Sequence, residues 1–90
     1  MDLNSLRDEI DKIDEQLVKL FVQRMETVKN VAQYKIEQDL PVLHPERELK
    51  VIEKAKSRAP EEMKTYVEDF FNATMAISRA MQEKLIEEQK

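Results

Sequence analysis

The chain has 90 residues, of which 38% are charged and none is glycine or cysteine. Without glycine it lacks phosphate-cradling loops, dinucleotide fingerprints and nucleophile elbows, and without cysteine it lacks disulfides, thiol nucleophiles and zinc–thiolate sites. Its 15 basic and 19 acidic residues give a net charge of −4, which argues against nucleic acid as the main partner.

The same composition predicts an all-α protein, and we treat residues 1–90 as a single domain. The N-terminal residues are acidic and show no signal peptide, and no segment approaches the roughly 18 apolar residues of a membrane span. We therefore expect a cytoplasmic protein with no membrane partner.

The first forty residues contain no proline and predict one long helix. From Leu3 to Ile36, at about 1.5 Å per residue, this helix spans about 50 Å, whereas a compact chain of this length has a radius of gyration near 12 Å. A monomer cannot cover one face of such a helix along its whole length, so we expect the chain to form a homodimer along it. The apolar residues of that face recur every three or four positions and form an apolar stripe: Leu3, Leu6, Ile10, Ile13, Leu17, Leu20, Val28 and Val31.

Two cations interrupt the apolar stripe. Arg24 and Lys35 stand near its middle, where the spacing asks for apolar residues, and Arg7 lies at its edge. A buried, uncompensated cation costs several kcal/mol, although a single arginine at such a position often extends to the surface instead. An anionic ligand is the simplest compensation for the pair.

Proline residues separate the first helix from two further helices. Asp39, Leu40 and Pro41 end the first helix, because the residue before a proline is pushed out of the helical region. The second helix begins at His44-Pro45, with proline in the first turn, where a missing N–H costs nothing. We interpret His44 as a helix cap rather than a base. The third helix begins at Pro60 and extends to about Ile86.

The second and third helices add polar residues to the side that faces the first helix. Arg47 and Glu48 lie in the first turn of the second helix, and Ser78 and Gln82 close an otherwise apolar row on the third. Together with the cations of the stripe they predict a polar pocket inside a helical bundle, rich in donors for an anion with several carboxylates. Such a site acts by binding and electrostatic stabilisation rather than by covalent catalysis.

This set of residues closely resembles the all-helical chorismate mutases over the whole chain. The spacing among the polar positions makes the resemblance specific, since an LRxxIDxID start alone fits any amphipathic helix. The residues that carry it are Leu6-Arg7, Ile10-Asp11, Ile13-Asp14, Leu17, Leu20, Arg24, Val31-Ala32, Lys35, Pro41-Val42, Pro45-Glu46-Arg47-Glu48, Ser78 and Gln82.

The resemblance implies an intertwined homodimer with two sites. Each chain of the homodimer would have three helices: a long N-terminal helix, a short helix and a long C-terminal helix. By the same resemblance, each site receives Arg7 from the other chain. Arg7 and Arg24 would bind the two carboxylates of the substrate, and Ser78 would assist at one of them.

The resemblance also implies the reaction, which is the rearrangement of chorismate to prephenate in phenylalanine and tyrosine biosynthesis. This intramolecular step needs no cofactor and no metal. Lys35 and Gln82 would hydrogen-bond the ether oxygen of the substrate, and Glu48 its ring hydroxyl, with Arg47 supporting that contact. Some relatives have aspartate at the position of His44, where the family uses mainly backbone, so His44 receives no role.

Two other readings stay open at this point. Isochorismate–pyruvate lyase shares the fold and a similar site, although Glu48 and the ordinary length of the segment from Lys35 to Pro45 favour the mutase. A non-catalytic helical dimerisation module is the more distant alternative, and it gives no reason for the polar residues at positions 24, 35 and 82.

Overall fold

The computed structural model describes residues 1–90 and contains three α-helices and no strand, which confirms the all-α prediction. Helix α1 comprises Leu3–Gln38, α2 comprises Pro45–Ser57 and α3 comprises Lys64–Glu88. A single 3₁₀ turn, Glu61–Met63, leads into α3. The third helix was predicted to begin at Pro60, but Pro60 is extended (ψ 151°), and its carbonyl accepts the Met63 N–H at 2.9 Å. That i to i+3 bond produces a 3₁₀ turn before the α-helix.

Both ends of α1 are closed by aspartates. At the start, Asp2 Oδ1 accepts the backbone N–H of Ser5 at 2.8 Å, which satisfies one of the free donors of the first turn. At the end, Asp39 has a left-handed backbone (φ 54°, ψ 47°), and Leu40 N donates to Lys35 O at 2.8 Å. This left-handed residue turns the chain sharply away from α1, so that the following loop passes back alongside Lys35.

Helix α3 is the centre of the fold, because it packs against both α1 and α2 while the backbones of α1 and α2 do not approach each other. It covers only the second half of α1: every residue up to Leu20 is exposed, and partial burial begins at Phe21. Ile13 and Leu20 of the apolar stripe remain 61% and 63% exposed. The radius of gyration is 16.2 Å and the longest extent 54 Å, against about 12 Å expected for a compact chain.

The core within one chain is small. Only 7 of the 90 residues are buried, and four of these are apolar: Ala32, Ile52, Ala55 and Met75. Most of the large apolar side chains lie on exposed helix faces, which leaves the dimer a prediction consistent with this shape.

No helix is both long enough and apolar enough to cross a lipid bilayer. The cytoplasmic location also stays a prediction.

We expect Asp39→Gly to raise the free energy of unfolding by roughly 0.5–1 kcal/mol, because a non-glycine residue pays for the left-handed conformation that glycine adopts freely. The change also removes a negative charge from the negative end of the α1 dipole. Thermal melting followed by circular dichroism measures the effect. Asp39→Ala is the matched control, since it removes the charge but keeps a Cβ atom. Equal stabilisation by alanine and glycine would contradict the conformational explanation.

Candidate active site

A cavity of about 180 Å³ lies where the three helices and the loop between α1 and α2 meet. It brings together six of the seven site residues predicted from the sequence, namely Arg24, Lys35, Arg47, Glu48, Ser78 and Gln82. The other lining residues are Val28, Val31, Val42, His44, Val51, Met75 and Arg79. The lining therefore combines cations and hydrogen-bond donors with apolar side chains.

Helix α3 carries a buried polar row, of which Ser78 and Gln82 line this cavity. Thr74, Ser78 and Gln82 recur every fourth residue, so they share one face, and all three are buried. The hydroxyls of Thr74 and Ser78 donate to the carbonyls of Phe70 and Thr74, at 2.8 and 2.9 Å, which satisfies their only protons inside the helix. The oxygen of Ser78 is thereby left to accept a hydrogen bond from outside the helix.

Arg24 supplies that hydrogen bond, with Nη1 at 2.8 Å from Ser78 Oγ. A guanidinium has five N–H donors, and this is the only hydrogen bond that Arg24 makes within the chain. No carboxylate lies within ion-pair distance of Arg24. The neutral hydroxyl fixes the guanidinium in place without neutralising it. Arg24 therefore presents a fixed positive charge with free donors at the cavity.

Lys35 is held by two neutral acceptors. Its Nζ donates to Val42 O at 2.8 Å and to Gln82 Oε1 at 3.1 Å. Because an ammonium can only donate, it selects the amide oxygen of Gln82 and leaves the amide NH₂ as a donor. Gln82 Nε2 has no partner within the chain. No fully buried side-chain nitrogen or oxygen lacks a partner, so this NH₂ retains accessible surface on a residue that lines the cavity. Lys35 and Gln82 thus offer adjacent N–H donors to a ligand.

Glu48 makes an ion pair that the sequence reasoning missed. Arg79 Nη1 lies 2.5 Å from Glu48 Oε1 and 2.6 Å from Oε2, joining α3 to α2. The sequence prediction gave the supporting role to Arg47, but Arg47 makes no hydrogen bond or ion pair in the chain. One available signal was that Arg79 follows Ser78 and is the only basic residue of α3 between Lys64 and Lys84.

The charges of the cavity are strongly unbalanced. Four cations line it, Arg24, Lys35, Arg47 and Arg79, and Glu48 is its only carboxylate, which leaves a formal charge of +3 with His44 neutral. This concentration occurs in a chain whose net charge is −4. The apolar part of the wall is formed by Val28, Val31, Val42, Val51 and Met75. The fold and the charge of the cavity therefore suit a small organic anion with more than one negative charge.

Arg7 and His44 need separate descriptions, because Arg7 lies outside the cavity and His44 lines it without a predicted role. Arg7 is exposed and lies 17 residues before Arg24 on the same helix, which is about 26 Å along the axis, so it cannot reach the cavity of its own chain. His44 is the N-cap residue of α2, as interpreted, but its side chain makes no capping hydrogen bond and lines the cavity instead.

Comparison with known proteins gives the family. The family model described as chorismate mutase type II matches residues 6–83, so the chain belongs to this family and the resemblance drawn from the sequence is confirmed.

Curated relatives agree with the family assignment. The chain is 39% identical over 57 residues to a T-protein of Haemophilus influenzae and 40% identical over 53 residues to a bifunctional chorismate mutase/prephenate dehydratase of Aquifex aeolicus. These matches cover 63% and 59% of this chain but 15% of each relative, so the chain spans only a small part of their length. No solved structure matches the chain significantly.

The unpaired state of Arg24 predicts that it does not stabilise the unliganded protein. We expect Arg24→Met to melt at the same temperature as the parent or a few degrees higher, because the change removes a partly desolvated cation and leaves the Ser78–Thr74 hydrogen bond intact. Calorimetry at low ionic strength measures this, with Arg24→Lys as the variant that keeps the charge. A fall of many degrees in Arg24→Met would instead make Arg24 a structural residue.

Proposed function

We propose that this chain catalyses the rearrangement of chorismate to prephenate. In that reaction the ether carbon–oxygen bond of the substrate breaks while a carbon–carbon bond forms within the same molecule. No proton, electron or group is exchanged with the protein, so the reaction needs no cofactor and no metal. Negative charge develops on the ether oxygen in the transition state. The observation that carries the proposal is the cavity charge of +3, with three cations that lack a carboxylate partner.

The two carboxylates of chorismate are the anionic groups that this cavity lacks. Arg24 would bind one of them through its free N–H donors, while Ser78 Oγ keeps the guanidinium in position at 2.8 Å. Arg47 is a further unpaired cation beside it. Holding both carboxylates fixes the chair-like conformer in which the reacting carbon atoms are close, which is the positioning contribution to the rate.

The donors at Lys35 and Gln82 suit the breaking bond. The Lys35 ammonium and the Gln82 amide NH₂ lie side by side, since Lys35 Nζ is 3.1 Å from Gln82 Oε1. Donors aimed at the ether oxygen stabilise the charge that develops there, and one such donor is typically worth about 10² to 10³ in rate. They are fixed before the substrate binds, so little reorganisation is needed during the reaction.

Glu48 would accept a hydrogen bond from the ring hydroxyl of the substrate. It is the only acceptor of full negative charge in the cavity, and a carboxylate has about four lone-pair sites, of which Arg79 occupies one on each oxygen. The apolar wall would then face the ring and the enolpyruvyl carbon atoms. The role first assigned to Arg47, support of Glu48, is better suited to Arg79.

Arg7 would reach the cavity only from a second chain, so the complete site requires a dimer. The exposed first half of α1 supports this arrangement, because its stripe of leucines and isoleucines is left uncovered by α3. Burying that apolar surface against a second copy is strongly favourable. In the proposed intertwined homodimer, Arg7 of the partner subunit would complete the binding of the substrate carboxylates.

The direct test incubates the purified chain with chorismate, without added cofactor, and follows substrate absorbance and product by chromatography. Formation of prephenate is the expected result. A parallel incubation with isochorismate tests the alternative. Release of pyruvate from it, without turnover of chorismate, would show that the chain is an isochorismate–pyruvate lyase instead. Turnover of neither compound would leave only a non-catalytic helical dimer and would contradict the proposal.

Subunit mixing tests the donation of Arg7. Arg7→Ala and Lys35→Ala should each be nearly inactive alone, because each removes a cation from both sites of the dimer. After equal amounts are mixed and allowed to exchange subunits, about half of the dimers carry both chains, and each of these has one intact site. We therefore expect about a quarter of the parent activity, measured as initial rate with chorismate.

The control is a mixture of Arg24→Ala with Lys35→Ala. Both residues line the cavity of the same chain, so the mixed dimers contain no intact site and activity should not return. Sedimentation equilibrium should return about twice the chain mass for every variant. Recovery in the control, or none in the test mixture, would contradict the donation of Arg7 across the interface.

Gln82→Glu tests the donor at the breaking bond. A carboxyl group at position 82 can donate only when protonated, and the neighbouring Lys35 favours its carboxylate form. At pH 7.5 it would oppose the developing charge, so kcat/KM should fall on the order of 10²-fold and recover as the pH is lowered. The parent should vary much less. The measurement is kcat/KM from pH 4.5 to 8.5, with folding checked by circular dichroism.

Lys35→Ala is the comparison for that profile. It should lose kcat severely at every pH, because no other cation in the cavity is held beside Gln82. If Gln82→Glu instead follows the parent across the whole pH range, Gln82 does not contact the ether oxygen.

A further inference from the structure

We propose that Arg79 is a positioning residue, which holds the Glu48 carboxylate away from the cations that bind the substrate. Arg79 lies on α3 one residue after Ser78 and lines the same cavity, yet it is the only cation there that has a carboxylate partner. The proposal rests on the function proposed above. It assigns to Arg79 an effect on substrate binding that passes through Glu48 rather than through direct contact.

The geometry of the pair fixes both partners. Arg79 Nη1 contacts both oxygens of Glu48, at 2.5 and 2.6 Å, and the two side chains are 31% and 25% exposed. A single guanidinium nitrogen engages both oxygens, so the carboxylate is directed toward Arg79 by a charge-assisted contact. It also spans 31 residues of sequence and joins α2 to α3. Glu48 is therefore held at the cavity wall with lone pairs still free for a hydroxyl donor.

The charges around Glu48 explain why it needs a dedicated partner. Arg24, Lys35 and Arg47 line the same cavity, and none of them has a carboxylate partner. In a partly buried cavity an unpaired carboxylate is attracted strongly to such cations. Without Arg79, Glu48 would pair with one of them and occupy donors that the substrate carboxylates need. Arg79 thus neutralises Glu48 locally and leaves the other three cations free.

Removal of Arg79 should therefore weaken substrate binding more than it slows the reaction. Arg79→Met lowers the formal charge of the cavity from +3 to +2 and releases Glu48 to compete with the substrate. We expect KM for chorismate to rise on the order of tenfold, with a smaller change in kcat. Arg79→Lys loses the planar guanidinium but keeps the positive charge. Because the charge is kept, its KM should lie closer to that of the parent than to that of Arg79→Met.

A double-mutant cycle separates this role from a merely structural one. If Arg79 acts through Glu48, the loss in Arg79→Met should largely disappear when Glu48 can no longer form an ion pair. We therefore expect the double variant Arg79→Met/Glu48→Gln to have a lower KM than Arg79→Met alone, close to that of Glu48→Gln. A structural role for Arg79 predicts the opposite, with the double variant at least as impaired as either single one.

Lys84→Met is the matched control, because it removes a cation from α3 that neither lines the cavity nor forms an ion pair. Its KM should stay within about twofold of the parent. Circular dichroism checks that every variant folds. With a parent that converts chorismate, additive effects in the cycle, or an unchanged KM in Arg79→Met, would overturn the role of Arg79 alone. A parent that does not convert chorismate overturns the proposed function, and the role of Arg79 with it.

Discussion

The structure depends on cations that are held by neutral dipoles instead of by opposite charges. Arg24 donates to a hydroxyl, and Lys35 donates to a backbone carbonyl and an amide oxygen. A dipole directs a cation and partly replaces its lost hydration, but it leaves the net charge in place. A carboxylate in the same position would have stabilised the free protein and reduced its attraction for an anion. The polar row on α3 is therefore as important to the site as the cations themselves.

The buried polar row on α3 also limits the stability of the single chain. Of its seven buried residues, three are polar and belong to that row, so part of the centre of the bundle is occupied by polar groups instead of an apolar core. The apolar surface that would normally form a core lies along the uncovered half of α1. In the proposed dimer this surface becomes the main source of stability, and Arg7 enters the site through the same contact. Assembly and completion of the site are then one event.

Much of the architecture could be predicted, because it follows from local rules. Long periodic stripes and three prolines determine the helices, and Arg24 and Lys35 were identifiable because they break the stripe on which they lie. Arg79 was missed because it breaks no pattern: its role depends on the crossing of α2 and α3, which brings it to Glu48 across 31 residues. The 3₁₀ turn before α3 was missed for a related reason, since a proline marks a boundary without specifying the turn that follows.

The left-handed turn at Asp39 has a consequence for how this site tolerates change. The turn brings Val42 back to Lys35, and the contact is made by the backbone oxygen of Val42 and not by its side chain. Replacing the side chains of the loop leaves that acceptor where it is, whereas inserting or deleting one residue would carry it away from the ammonium. The loop is therefore constrained in length more than in composition, so that among homologous chains substitutions between Asp39 and His44 should be far more frequent than gaps.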